Sequence, residues 1–218
     1  MRRTLNIAAI IGATLTILFA MAVPAWAGKT EARCGWEVGG GLGPAFPTDS
    51  EIRDEFPFLY ELQVDFKRYL FWYFSLGAQV GYQFGEGNPK GVTLDGEAIV
   101  FDNRGYSYWR AAPVFAVLRF EPFRYREFAP YVGFGGGFKY LVLERSGKER
   151  TIPRANSGDA FLWGTALSAG FDYELNKFFF LRLEGRWDAT PTADDSEEIF
   201  EAKDFSTAGG YVGVNVYF

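Results

Sequence analysis

The sequence predicts an all-β fold, an eight-stranded antiparallel up-and-down transmembrane β-barrel. Three observations predict it. Apolar and polar residues alternate with the period of a β-strand in eight segments. The connections between these segments alternate between short and long. The last segment, residues 209–218, alternates strictly and ends on Phe218 without a charged tail, as expected of a strand whose outer face meets lipid.

The first 27 residues have the features of a secretory signal peptide. Arg2 and Arg3 precede an apolar run over residues 7–23, and a small-x-small motif ends at Ala27. The alternative is an N-terminal membrane anchor, but the run is shorter than a comfortable spanning helix and ends in a cleavage motif. We therefore predict a cleaved signal peptide over 1–27, a short N-terminal segment over 28–33 and the barrel over 34–218.

Composition agrees with an exported single domain that crosses a membrane with strands. Removal of the signal peptide leaves 191 residues (218 minus 27), enough for one ordinary domain. No apolar run in these residues is long enough for a helix that spans the membrane. Aromatic residues make up 19% of the chain, and the single cysteine excludes an internal disulfide framework. The net charge of −5, which becomes −7 without Arg2 and Arg3, argues against a nucleic-acid partner.

The eight segments place apolar side chains on one face and charged or small side chains on the other. Their approximate ranges are 34–42, 59–67, 73–84, 108–120, 130–142, 161–174, 179–188 and 209–218. The charges predicted to point into the barrel are Glu37, Glu61, Asp65, Lys67, Arg119, Lys139, Asp172, Glu174, Arg182, Glu184 and Arg186. An eight-stranded barrel has an interior that side chains just fill, so we interpret this set as an ion-pair plug. The alternative is a narrow polar path for a small solute.

The connections predict which end of the barrel faces which compartment. Short connections cover 68–72, 121–129 and 175–178, whereas long polar connections cover 44–58, 85–107, 143–160 and 189–206. Short periplasmic turns and long external loops are the arrangement of outer-membrane barrels. A ten-stranded alternative also stays open, because Val92–Phe101 could form an additional external hairpin.

Tryptophans are predicted to form two interfacial belts, where an amphipathic ring is most stable. Trp109, Trp163 and Trp187 fall near the outer ends of their segments, and Trp36 and Trp72 fall near the opposite ends. The alternative is a soluble β-sandwich, in which tryptophan is a common core residue.

Two motifs resemble those of known outer-membrane barrels. Tyr211, Gly213, Val216 and Phe218 are similar to the C-terminal signal that the barrel-assembly machinery reads in that family. Residues 130–137, Pro-Tyr-Val-Gly-Phe-Gly-Gly-Gly, resemble a segment common in small barrels. The chain thus resembles the eight-stranded barrels of the outer membrane protein A transmembrane-domain and opacity-adhesin type. This resemblance implies a location in the bacterial outer membrane, in contact with its lipids and lipopolysaccharide.

The architecture predicts a structural or surface-interaction role, with four loops available to an external protein or host ligand. The second hypothesis is a narrow channel or carrier for small solutes. A barrel enzyme is the third and is disfavoured, because the chain has no histidine and only inward carboxylates such as Glu61 and Asp65 could act as acid and base. We predict no cofactor and no metal ion. The acidic last loop and the basic third loop are interpreted as solvated surface, with cation or lipid-phosphate binding as alternatives.

Overall fold

The computed structural model describes residues 35–71, 73–87, 92–94, 97–99, 106–146, 158–191 and 204–218. The predicted signal peptide, Cys34, Trp72 and most of the last loop lie outside these residues. Within the described part of the chain, no helix has the length and apolar character needed to cross a membrane.

Ten strands and one short helix follow one another in the described part of the chain. The strands are β1 (Trp36–Pro47), β2 (Leu59–Phe71), β3 (Phe74–Gly87), β4 (Val92–Leu94), β5 (Glu97–Ile99), β6 (Tyr106–Phe120), β7 (Phe128–Ser146), β8 (Gly158–Glu174), β9 (Phe179–Ala189) and β10 (Thr207–Tyr217). The helix α1 (Ser50–Glu55) lies between β1 and β2.

Eight of these strands form a closed antiparallel barrel, in the order β1, β10, β9, β8, β7, β6, β3, β2. The last strand pairs with the first, from Glu37 opposite Tyr217 to Pro47 opposite Thr207. Closure leaves no edge strand, so the backbone polar groups of the wall are bonded within it, as a hydrocarbon environment requires. The predicted fold class is therefore confirmed.

The additional hairpin in Val92–Phe101 also exists, but it does not enter the barrel. Its strands β4 and β5 pair only with each other among the described residues, with Val92 opposite Ile99. The barrel itself has eight strands. We name the end of the barrel with the three short connections the turn end, and the end with the four long connections the loop end.

Several strands run beyond the lengths that alternation predicted. β2 continues to Phe71, so most of the connection predicted at 68–72 is strand. β7 continues to Ser146 and pairs there with Tyr106 of β6. Ladder hydrogen bonds continue wherever two strands stay in register, whether or not their side chains still alternate. β2 is thus lengthened at the turn end, whereas β6 and β7 stay paired far into the loop end.

The first long connection folds back over the loop end instead of extending as a polar loop. The Asp49 carboxylate accepts a hydrogen bond of 3.3 Å from the Ile52 backbone N–H and caps α1. Ile52 and Phe56 are buried, which places this helix turn in the mouth of the barrel. The length and polarity of this connection predict an external loop, and its few apolar residues hold it against the mouth of the barrel.

Three of the predicted belt tryptophans face outward, and one does not. Trp36 and Trp187 are each 37% exposed and Trp163 is 69% exposed, all on the outer surface of the barrel. Trp109 is only 1% exposed and points into the barrel, so its assignment to the belt is wrong. The reason is strand parity: Trp109 and Arg119 are an even number of residues apart in β6, so they share the inner face.

Glycines in β7 allow close packing inside the barrel on one face and carry no such constraint on the other. A Cβ on the inward Gly137 would overlap the carbonyl oxygen of Val114 and would lie 2.8 Å from the Cα atom of Phe115. A Cβ on the neighbouring, outward Gly136 would meet nothing within 4 Å. Only Gly137 of this pair is therefore required by packing.

We predict that Gly137→Ala destabilises the barrel by about 1–3 kcal/mol, because the β6–β7 contact must open to admit the methyl group. Gly136→Ala, one residue away, should leave the stability unchanged or slightly raised, because it only restricts the unfolded chain. Urea unfolding in lipid vesicles, followed by tryptophan fluorescence, measures both. Equal effects of the two substitutions would contradict the packing explanation.

Candidate functional site

The inner face of the barrel carries a cluster of buried charges centred on Arg182 of β9. The Arg182 guanidinium contacts carboxylates from three other strands. Its distances are 3.0 Å to Glu37 of β1, 2.5 Å to Asp65 of β2 and 3.3 Å to Asp172 of β8. One side chain thus joins two strands from the beginning of the chain to two strands near its end.

Two more cations complete this group, which we name the turn-end ion cluster: Glu37, Asp65, Lys67, Arg119, Glu121, Asp172 and Arg182. Lys67 lies 2.8 Å from Glu37 and 3.5 Å from Asp65. Arg119 lies 2.5 Å from Asp172 and 3.2 Å from Glu121. All of these side chains are at least about nine-tenths buried. Because every charge has a partner of opposite sign, the cluster avoids the cost of an isolated buried ion.

A second group lies closer to the loop end and is centred on Arg186 of β9. We name it the central ion cluster: Glu61, Glu184, Arg186 and Asp188. Arg186 contacts Glu61 directly, lies 2.8 Å from Asp188 and donates a 2.7 Å hydrogen bond to the Gln63 side-chain oxygen. The Tyr211 hydroxyl and the Gln83 amide each donate a 2.8 Å bond to Glu61. This cluster therefore ties β2, β3, β9 and β10 together.

Tyr131 of β7 connects the two clusters. Its hydroxyl donates a 2.6 Å hydrogen bond to Glu184 of the central cluster. The Arg119 guanidinium of the turn-end cluster lies over its ring, 3.2 Å from the centroid. A cation on a buried ring is held by the ring quadrupole as well as by its ion pairs. The two clusters thus form one continuous polar core.

Lys139 of β7 is fully buried, and its ammonium group binds the end of the last loop instead of pairing with a carboxylate. Its ammonium group donates hydrogen bonds of 3.1 Å to the Phe205 carbonyl and 3.2 Å to the Thr207 hydroxyl. A buried ammonium needs acceptors, and here the returning backbone supplies one of them. The β9–β10 connection is therefore anchored inside the barrel.

Apolar side chains close the barrel on the loop-end side of Lys139. The Trp109 ring makes an edge contact with Phe56 at 5.7 Å and a tilted contact with Phe205 at 5.9 Å. We name the mouth cluster as the whole buried group: Ala45, Ile52, Phe56, Leu59, Trp109, Ala111, Leu141, Leu143, Ala160, Leu162 and Phe205. It joins two loops to the wall and covers the ion clusters at the loop end.

The interior leaves a small polar cavity beside the turn-end ion cluster. Its volume is about 30 Å³, room for about two water molecules. Ser75, Gln79, Arg119, Tyr131 and Glu184 line it, and the buried Ser75 hydroxyl has no hydrogen-bond partner among the described residues. In the same part of the chain, no group of three or more histidine, cysteine, aspartate or glutamate side chains is arranged to hold a metal ion.

The structure brings most of the predicted inward charges together. Glu174 differs, because it lies half-buried at the rim of the turn end, where Arg124 of the preceding turn contacts it at 3.3 Å. Lys139 joins neither ion cluster. Of the predicted assembly-signal positions, Tyr211 points inward onto Glu61, Gly213 packs against the Gly40 carbonyl, and Phe218 is exposed.

Sequence reasoning missed several members of the polar core. Glu121 directly follows the segment predicted at 108–120, and Asp188 is the last residue of the segment predicted at 179–188. Strand parity counted from Arg119 and Arg186 would have assigned both to the inner face. Tyr131 was hidden because tyrosine occurs on both faces of a membrane barrel.

We predict that Arg182→Gln lowers the free energy of unfolding by about 3–5 kcal/mol, because three buried carboxylates lose their shared cation. The matched control is Arg110→Gln, which removes a half-exposed arginine whose 3.4 Å pair with Glu144 should contribute only about 0–1 kcal/mol. Urea unfolding in vesicles and the yield of heat-modifiable folded protein measure both. A loss no larger than that of the control would contradict a structural role for the cluster.

Comparison with known proteins gives matches that span nearly all of the chain. The model of the family "Outer membrane protein beta-barrel domain" matches residues 13–218. No curated protein matches significantly.

Among solved structures, the chain is similar to Neisserial surface protein A, with a TM-score of 0.57, 12% identity and coverage of 86% of this chain and 100% of that one. It is also similar to OprG from Pseudomonas aeruginosa, with a TM-score of 0.55, 13% identity and coverage of 87% and 98%. A major outer membrane protein from Thermus thermophilus gives a TM-score of 0.54, 13% identity and coverage of 84% and 99%. At these identities the likeness shows a shared fold. Together with the family match, it shows that this chain is an outer-membrane β-barrel protein and belongs to the outer membrane protein beta-barrel domain family.

Proposed function

We propose that this protein is a non-conducting component of the outer membrane that stabilises the envelope and presents its loops to an external protein or host ligand. The observation that carries this proposal is the filling of the barrel. From the turn end to the loop end, the inner face holds the turn-end ion cluster, the central ion cluster and the mouth cluster in succession.

The ion clusters favour a closed barrel over a channel. A solute that moved along the axis would have to displace Arg182 and Arg186 from several carboxylates, each of which would then lose a buried cation. The cavity of about 30 Å³ accommodates water but no larger solute. These features support a plug and disfavour a permanent path.

The mouth cluster favours a role in presentation. Phe56 and Phe205 anchor the first and last long connections against Trp109, which belongs to the rigid wall. Loops that are fixed at their bases hold a binding surface at a lower entropic cost than free loops do. An enzymatic role is disfavoured, because the candidate acid–base residues Glu61 and Asp65 are bound to Arg186 and Arg182.

We predict that the folded protein gives no steady single-channel currents in planar bilayers, because two layers of ion pairs and an apolar layer block the axis. A general porin, purified and inserted in the same way, provides the positive control. Heat-modifiable migration on electrophoresis should confirm that the inserted sample is folded. Uniform, long-lived openings at neutral pH would overturn the plug and favour the narrow-channel hypothesis.

The loops should be reachable from outside the cell. We predict that an epitope inserted within residues 192–200 binds antibody on intact cells, because short turns face the periplasm in barrels of this kind. The same epitope inserted within the turn at 122–127 should bind only after the outer membrane is permeabilised. The reverse pattern would contradict the proposed presentation of the loops.

A further inference from the structure

The lipid-facing surface carries one unusual charge near the turn end. Among the described residues, Arg68 is the one charged side chain on the outward faces of the strands in that half of the barrel. Its outward neighbours along β2, Phe66 and Leu70, are exposed apolar residues. A cation in this position needs an anion or water within reach.

The position of Arg68 is fixed by an aromatic platform. Arg68 is directly opposite Trp36 of β1 in the strand pairing, and its guanidinium carbon lies 5.2 Å from the centre of the Trp36 ring. The Trp36 ring in turn stacks on Phe66, with centroids 4.7 Å apart and planes 21° apart. Stacking on an aromatic face holds the guanidinium in place and leaves its N–H edge available to a further partner.

No carboxylate of the described residues forms an ion pair with Arg68. The outward arginine near the loop end differs in this respect, because Arg110 lies 3.4 Å from Glu144 on the adjacent strand. One outward arginine is thus neutralised by the protein, whereas the other faces lipid with its charge unpaired in the described part of the chain.

The guanidinium of Arg68 lies within reach of a headgroup region. With a rise of about 3.4 Å per residue and a tilt of about 45°, the eight steps from Tyr60 to Arg68 along β2 cover about 19 Å of the membrane normal. The apolar band of such barrels is about 25 Å tall and is flanked by aromatic residues. Counted from Tyr60, the Arg68 backbone lies about 6 Å short of the turn-end edge of such a band. The long arginine side chain spans this distance, so its guanidinium is within reach of lipid phosphates.

We propose that Arg68, held on Trp36, is a binding site for the phosphate of a phospholipid headgroup in the periplasmic leaflet. The planar guanidinium presents two parallel N–H groups that match two phosphate oxygens. The exposed side chains of Phe66 and Val64, which lie on the outer face of β2 between Arg68 and the loop end, provide a surface for the acyl chains of the same lipid. The site would fix the depth of the barrel in the membrane and retain one lipid at this position.

The test is native mass spectrometry of the folded full-length mature protein, released from vesicles of phosphatidylglycerol into mild detergent. We expect a one-lipid adduct whose abundance falls about tenfold in Arg68→Gln, the loss expected for a charge-assisted hydrogen-bonded pair. Arg68→Lys should retain an intermediate amount, because it keeps the charge without the two-point contact. Heat-modifiable migration checks that each variant is folded.

Arg110→Gln is the matched control, since it removes an outward arginine that already has a partner. Unchanged retention in Arg68→Gln, or an equal loss in Arg110→Gln, would overturn the site. Equal retention of diacylglycerol, which has no phosphate, would show acyl adhesion alone and would also overturn it. Displacement of the lipid by millimolar inorganic phosphate would assign the site to a free anion instead of a headgroup.

Discussion

A charge that is removed from water needs an ion of opposite sign or hydrogen-bonding groups as partners, and this constraint governs the interior of the barrel. Arg182 meets three carboxylates from β1, β2 and β8, and Arg186 meets Glu61 and Asp188. These pairs join strands across the lumen, where ladder hydrogen bonds cannot reach. The wall is held together along its surface by backbone bonds and through its centre by ions.

The same constraint explains the order of the three layers. Polar side chains occupy the turn end and the middle, where Tyr131 links one ion cluster to the other. On the loop-end side of Lys139, apolar side chains replace the charged ones, because the first and last long connections fold into the mouth and bring Phe56 and Phe205 with them. An apolar layer there shields the ion pairs from water, which strengthens them. The apolar layer that closes the mouth of the barrel therefore also stabilises the ion pairs beneath it.

The outer face follows a different solvent and a different rule. Lipid accepts bare apolar side chains, so this surface carries valine, leucine and aromatic residues with almost no charge near the turn end. Arg68 is the exception there, and its aromatic support on Trp36 gives the exception a physical explanation. A barrel of this size thus has two chemically different surfaces. The charges of the inner surface are paired within the protein, whereas the apolar side chains of the outer surface contact lipid.

The sequence left a barrel of eight or ten strands open, and only the structure shows that β4 and β5 stay outside a wall of eight strands. The sequence by itself determined the antiparallel closure and the faces of most side chains, because a period of two assigns every residue of a strand once one is placed. That same rule, applied from Arg119, would have placed Trp109 inside. The tertiary structure alone decided which charges meet: Arg182 and Glu37 are 145 residues apart, and their contact depends on the stagger of the closed barrel. The tertiary structure also decided which residues form the mouth cluster. Phe56 and Phe205 lie in connections without periodicity, and the position of such a connection depends on the apolar surface against which it packs.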